Sequence, residues 1–262
     1  MDAVVIAGGI PELGDPLYPF TLGKPKALLD VAGRPMVQWV LDALEKASQV
    51  ERVVVIGLSM ESGLTCVKPI TYFPNQGGML QNIVFGMEQV IAQNPTAHYI
   101  LLVSSDIPGI KPEMVDWMIT NAMQADYDLY YHVIAQEVME KRYPDSKRTF
   151  VHLKNAVVCS GDMNIVSVRQ LEKKRDKWEQ LVAARKSPLR QAAIFGLGTL
   201  LLAALRAITV EGLAKRLAQR MGMTGHAVFC PYAEVGMDVD KPHHLELMRS
   251  DLAGEALPLP IP

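Results

Sequence analysis

Three groups of residues in this chain have types and spacings that could do chemistry. Gly8-Gly9 ends a short apolar run and frees backbone N–H groups where an anionic ligand can come close. Lys24-Pro25-Lys26 follows in the same loop and offers point charges for phosphate. Asp106, in Ser104-Ser105-Asp106-Ile107-Pro108, sits where a second apolar run ends. A carboxylate there is costly unless it is paired or bound to metal. Gly236-Met237-Asp238-Val239-Asp240-Lys241-Pro242 sets two carboxylates on one face of an extended segment, and like charges so close favour a bound cation. Mg²⁺ takes one or two carboxylates together with phosphate oxygens. The three groups therefore fit a metal-bound polyphosphate. Each also has a plainer reading: turn glycines, an aspartate opening a turn before proline, and Asp240 capping the helix that starts at Pro242.

Other segments offer recognition. Asn75-Gln76-Gly77-Gly78-Met79-Leu80-Gln81-Asn82 joins glycines to amides, which both donate and accept and so suit the edges of a base. Arg148, Lys154 and Arg185-Lys186 are candidate partners for a second phosphate, or simply exposed charges. His243 and His244 are expected on a solvated face of the late helix. The loop matches neither GxxxxGK[ST] nor GxGxxG, so neither a P-loop nor a dinucleotide site is indicated.

These residues need elements to hold them. Residues 2–6, 52–57 and 99–103 read as buried strands, and 35–47, 79–93 and 112–123 as helices. Strand–helix alternation at this spacing implies a doubly wound, mostly parallel sheet, in which ligands bind at the carboxyl ends of the strands. Residues 10–25, with four prolines and two glycines, read as a loop. Further on, 149–153, 157–158, 227–230 and 234–239 read as strands, and 168–186, 192–205, 210–221 and 242–249 as helices. The apolar stretch 192–205 falls short of the ~20 residues that span a bilayer. It reads as a buried helix or an oligomer contact, with a peripheral membrane contact as the alternative. The tail 257–262 reads as extended and poorly ordered.

Composition narrows the partners. A net charge of −2 gives no bulk attraction to nucleic acid or anionic membrane, so any phosphate site must be local. Three scattered cysteines form neither a zinc motif nor a disulfide framework. The N-terminal residues carry no signal-peptide pattern, and a cytoplasmic location is expected.

The stretch Val5-Ile6-Ala7-Gly8-Gly9 … Lys24-Pro25-Lys26-Ala27-Leu28-Leu29-Asp30-Val31-Ala32-Gly33-Arg34-Pro35-Met36 resembles the N-terminal signature of the nucleotidyltransferase superfamily. That superfamily includes sugar-phosphate nucleotidyltransferases and MobA-like transferases. The resemblance spans 2–165 and 227–250. It implies a GT-A/Rossmann-like α/β fold, doubly wound with a mixed, mostly parallel sheet, and an added helical segment. One domain is expected over 1–262, with 166–226 a helical insertion or lobe. The implied reaction moves NMP from a nucleoside triphosphate to a phosphorylated small-molecule acceptor, with Mg²⁺ as cofactor. By resemblance, Lys26 and Asp106 are catalytic. Ala7, Gly8, Gly9, Lys24, Lys26, Gly78 and Asn82 bind the nucleotide, and Asp106 with Asp240 or Asp238 binds the metal. Residues 154–164, including Ser160-Gly161-Asp162-Met163-Asn164, fall where family members hold the acceptor. Residues 10–23 lack the arginine usual in this loop. A non-catalytic nucleotide-binding protein and a nucleotide-sugar glycosyltransferase are the alternatives. A homodimer is possible; neither a nucleic-acid partner nor a transmembrane segment is expected.

Overall fold

Residues 3–5 are buried on both faces of a sheet, as an unbroken apolar run with helices on either side requires. The computed structural model describes residues 1–122, 126–168, 196–220 and 222–254. In chain order the elements are β1 (Asp2–Ile6), α1 (Tyr18–Thr21), β2 (Asp30–Val31), β3 (Arg34–Pro35), α2 (Met36–Lys46), β4 (Arg52–Ile56), β5 (Ile70–Phe73), α3 (Met79–Gln93), β6 (Tyr99–Ser104) and α4 (Pro112–Ala122). Then follow β7 (Leu129–Ala135), α5 (Gln136–Arg142), β8 (Val151–His152), β9 (Val157–Ser160), β10 (Met163–Ser167), α6 (Leu197–Ala204), α7 (Val210–Arg220), β11 (Gly225–Phe229) and α8 (Pro242–Leu252).

Among the described residues the main sheet has nine strands, in the order β5-β4-β1-β6-β10-β7, with β11 on the far edge of β7. β1 pairs in parallel with β4 and β6, Ala3 facing Val53 and Leu101. β10 runs antiparallel between β6 and β7, and β9 continues along the same edge of β7 before pairing with β8. The sheet is mixed and mostly parallel, with β9 and β10 reversed among the described strands. α2 buries Met36, Val37, Val40, Leu41 and Leu44 against one face, which α4 and α8 also cover. Met87 and Val90 of α3 and Ala218 of α7 pack on the other.

Several elements depart from the sequence reading. The loop 10–25 contains the short helix α1. β5, β7, α5 and β10 were not expected as elements. The segment 234–239 is not a strand: Ala233–Gly236 is a 3₁₀ turn, because Gly236 is pressed against β7 and β9, where a Cβ would meet Ile134 Cδ1 at 2.7 Å and the Ser160 carbonyl at 2.9 Å. Of the apolar stretch 192–205, residues 196–205 are described. Leu201 and Leu205 are exposed there, so this piece is not a buried helix. The charged segment 169–186, Arg185-Lys186 and the tail lie outside the described residues. Among the described residues, no helix is long and apolar enough to cross a membrane.

The glycine turn after β1 depends on a partner just past β4. Gly57 has φ +109°, and a Cβ there would lie 2.3 Å from the Gly8 backbone. Gly57→Ala combines backbone strain with a backbone clash, and strain of this kind alone costs about 1–3 kcal/mol. Urea unfolding of the variant should show a loss of about 2 kcal/mol or more. Unchanged stability would mean that the two loops are not packed this way.

Candidate active site

The site lies where β1 and β6 leave the sheet. Lys26 opens a 3₁₀ turn, and its backbone N–H donates to the Gly9 carbonyl at 2.9 Å, which closes the intervening loop and brings the lysine beside the glycines. Its ammonium lies 2.5 Å from Asp106 Oδ2 and 2.7 Å from Asp240 Oδ1. Burial opposes a charge on Lys26, but these two carboxylates outweigh it and hold the group above the ordinary lysine value. For Asp240, burial pushes upward, yet Lys26 prevails and keeps the carboxyl below its usual value. The Ser104 hydroxyl donates to Asp106 Oδ1 at 2.5 Å.

Asp238 is buried and ion-paired with Arg148. Oxygens of Asp106, Asp238 and Asp240 lie within 4.8 Å of one another. The sequence argument reached this grouping through strand alternation, whereas it arises from an irregular segment tied to β6: the Val239 N–H donates to the Asp106 carbonyl at 2.9 Å. Asp162 is the fourth carboxylate. Four residues, 161–164, span the interval that Tyr131 and His132 cover on β7, so the β9–β10 edge bulges there. The Asp162 N–H donates to the Val235 carbonyl and its own carbonyl accepts from Ser104 N–H, both at 2.9 Å. The bulge is thus fastened to both neighbouring segments. Asp162 Oδ2 is buried and has no hydrogen-bond partner among the described residues.

His244 corrects an expectation. It is buried, not solvated: Nε2 donates to the Ser146 carbonyl at 2.9 Å and Nδ1 accepts from the Asp240 N–H at 3.3 Å. Burial, with His243 beside it, pushes its pKa down to about 4, so it is a neutral strut for Asp240. His243 is half-buried against the same carbonyl, 3.2 Å away.

The glycine loop is held by amides. Asn75 Nδ2 donates to the Gly8 carbonyl at 2.9 Å, and Asn82 Oδ1 accepts from the Gln76 N–H at 2.7 Å. Asn82 Nδ2 also donates to Asn75 Oδ1 at 3.1 Å. A Cβ on Gly8 would lie 2.6 Å from Asn82 Nδ2, so glycine is required for this approach. Asn82 is therefore engaged in holding the 75–77 loop, and Gly78 accepts its backbone N–H at 2.9 Å. The Ala7 N–H is spent on the Ile56 carbonyl at 2.8 Å. Gly9 is exposed and has nothing within 4 Å of a built Cβ. Lys24 is exposed outside the cluster, and Lys154 lies exposed in the turn between β8 and β9. Sequence reasoning missed Asp162 as a partner of Asp106, Ser104 as its hydrogen-bond donor and Asn75 as a loop anchor. All three stand in segments that the sequence singles out, Asp162 in the expected acceptor region, Ser104 in the Asp106 motif and Asn75 among the amides expected to read a base, but in other roles.

Known proteins share the fold of this chain. A hypothetical transferase from Thermus thermophilus is 30% identical, with a TM-score of 0.78, covering 93% of this chain and 98% of that one. A CMP:2-keto-3-deoxy-manno-octonic acid synthetase, solved with CTP, shares the fold at 17% identity and a TM-score of 0.59, covering 97% of this chain and 99% of that one. A probable molybdenum cofactor guanylyltransferase from Pyrococcus furiosus is 26% identical over 127 residues, 46% of this chain and 55% of that protein. The curated relatives are matched over only 15, 22 and 55% of their own lengths. The family model for the MobA-like NTP transferase domain matches residues 3–253, and the chain belongs to that family.

Proposed function

We propose that this protein is a Mg²⁺-dependent nucleotidyltransferase that moves NMP from a nucleoside triphosphate to a phosphorylated acceptor and releases pyrophosphate. One observation carries the proposal: Lys26 bridges Asp106 and Asp240 beside the glycine turn, within a cluster of carboxylates at the carboxyl end of β6. An oxygen of the acceptor phosphate attacks the α-phosphorus, a new P–O bond forms, and the bond to the β-phosphate breaks. Such a transfer needs positioning and charge neutralisation more than a covalent nucleophile.

The donor set fits a hard divalent cation. It offers carboxylate oxygens alone, with neither thiolate nor imidazole among the ligating atoms. Asp106, Asp162, Asp238 and Asp240 carry four negative charges against Lys26 and Arg148. The balance when all are ionised is −2, which one divalent ion offsets. Asp106, Asp240 and Asp238 would hold it, and it would supply charge neutralisation at the phosphates. Gly8, Gly9 and Gly78 line the approach for the nucleotide, while Asn75 and Asn82 keep that approach open. Lys26 is held protonated and stays available to neutralise charge on the transferring group.

Asp106→Asn keeps the shape and removes one ligand charge. Pyrophosphate release should fall about 10²–10³-fold, the rate equivalent of several kcal/mol, while the circular dichroism spectrum is retained. A variant as active as the parent would refute the metal assignment.

Adding a Mg²⁺-nucleoside triphosphate should raise Tm, since a ligand at 100 times its Kd stabilises by about 2.7 kcal/mol. The same addition to Asp106→Asn should give little or no shift. Equal shifts in the two proteins would place the nucleotide elsewhere.

Asp162 gives a pH test. Burial and the Asp106 charge, against Arg148, push its carboxyl from 3.8 up to about 7. Through that window the folded chain keeps a proton that the unfolded chain has lost, so this group costs stability as pH rises. Asp162→Asn removes the cost. Measured by urea unfolding without metal, its stability relative to the parent should be more favourable at pH 8 than at pH 4. A difference independent of pH would show that Asp162 titrates normally.

A further inference from the structure

A cavity of about 370 Å³ opens beside the carboxylate cluster on the α3–α7 side of the sheet. It shares Ser104 and Asp162 with the site and extends away from them over β6, β10 and β7. Its walls are apolar: Ile6, Leu80, Ile83, Leu102, Val166 and Met223. Met79 stands at the rim, strongly exposed.

The polar groups in this lining are almost all engaged with other parts of the chain. Asn164 Oδ1 accepts from the His132 N–H at 2.9 Å, and its Nδ2 donates to the Gly161 carbonyl at 3.1 Å. The Ser104 hydroxyl is committed to Asp106. The Tyr131 hydroxyl donates to Ser160 Oγ at 2.6 Å, and Ser160 in turn donates to the Gly161 carbonyl at 3.2 Å. Asp162 stands at the end nearest the cluster, where an acceptor phosphate would lie. A polyol entering this space would surrender water to its hydroxyls and find few partners in return. An alkyl or aryl body would gain from contact with every wall.

We infer that the phosphorylated acceptor of the proposed transfer carries an apolar body, an alkyl or aryl phosphate rather than a sugar or polyol phosphate. The inference rests on the proposed nucleotidyl transfer for the identity of the phosphate end, and on the cavity lining for the rest of the molecule.

The test compares geranyl phosphate and benzyl phosphate with glucose 1-phosphate and glycerol 3-phosphate. Binding to the full chain is measured by calorimetry with Mg²⁺, and pyrophosphate release is measured with each of the four NTPs. The apolar phosphates should bind at least tenfold more tightly and give at least tenfold higher kcat/KM. Met79→Gln at the exposed rim and Ile83→Thr in the wall should each weaken geranyl phosphate at least threefold, leaving the NTP-induced Tm shift unchanged. The rim variant removes no core contact, so a loss there is not a folding defect. Polyol phosphates that bind as tightly as the apolar ones, or geranyl phosphate binding indifferent to both variants, would overturn the inference even if nucleotidyl transfer is found. Selective geranyl phosphate binding without pyrophosphate release from any NTP would instead sink the transfer reading and leave the apolar pocket standing.

Discussion

The constraint on which this structure depends is the repulsion among carboxylates gathered at the carboxyl ends of the central strands. Asp106, Asp162, Asp238 and Asp240 converge from three chain segments, and the fold answers their charge with Lys26 and Arg148. Much of the local architecture serves that compensation. Closure of the Gly9–Lys26 loop delivers the ammonium, and the β9–β10 bulge brings Asp162 in. The irregular 237–240 segment carries two more acids past the end of β6. A neutral His244 holds Asp240 by its backbone without adding a charge of its own. Beneath the segment, Arg142 binds Asp251 through both carboxylate oxygens, at 2.6 and 2.7 Å, and Glu234 at 2.9 Å, fixing the 3₁₀ turn against α8.

The same arrangement separates two tasks in space. The glycine turn, with Asn75 and Asn82, forms a polar approach whose shape is set by close backbone contact. The cavity over β6, β10 and β7 is apolar, and its polar groups are committed to holding the bulge. The carboxylates lie between the two. This is the layout expected of a catalyst that must bring a charged donor and a differently built acceptor to one phosphorus atom.

What could be read from the sequence follows the range of the forces involved. β1, β4 and β6 are continuous apolar runs, and α2, α3 and α4 show helical periodicity, so local pattern was enough. β7 was missed although it lies deep in the sheet. Tyr130, Tyr131 and His132 interrupt the aliphatic pattern, and the burial of His132 is decided by strands distant in sequence. β10 was missed because residues 161–164 form a bulge, and a bulge is defined by its partner strand. Asp106 was legible because it ends a clear strand next to a proline. Asp162 was not legible as its neighbour, and His244 passed for a surface residue, because both depend on tertiary contacts. Asp238 and Asp240 were grouped through a strand that does not exist. The segment is irregular, but its tether to the Asp106 carbonyl brings the same two carboxylates together.

Lys26 and Asp240 are separated by 214 positions in the chain. During synthesis the strands β1, β4, β5 and β6 and the amide-held glycine turn are all made before residue 105, from pieces near one another in sequence. The acid that completes the cluster comes only at residue 240. A growing chain can therefore build the glycine turn early, but the full set of charges exists only after residue 240 has been made. The cluster is thereby tied to late synthesis: a product that stops before residue 238 retains the glycine turn and Lys26 but lacks two of the four acids.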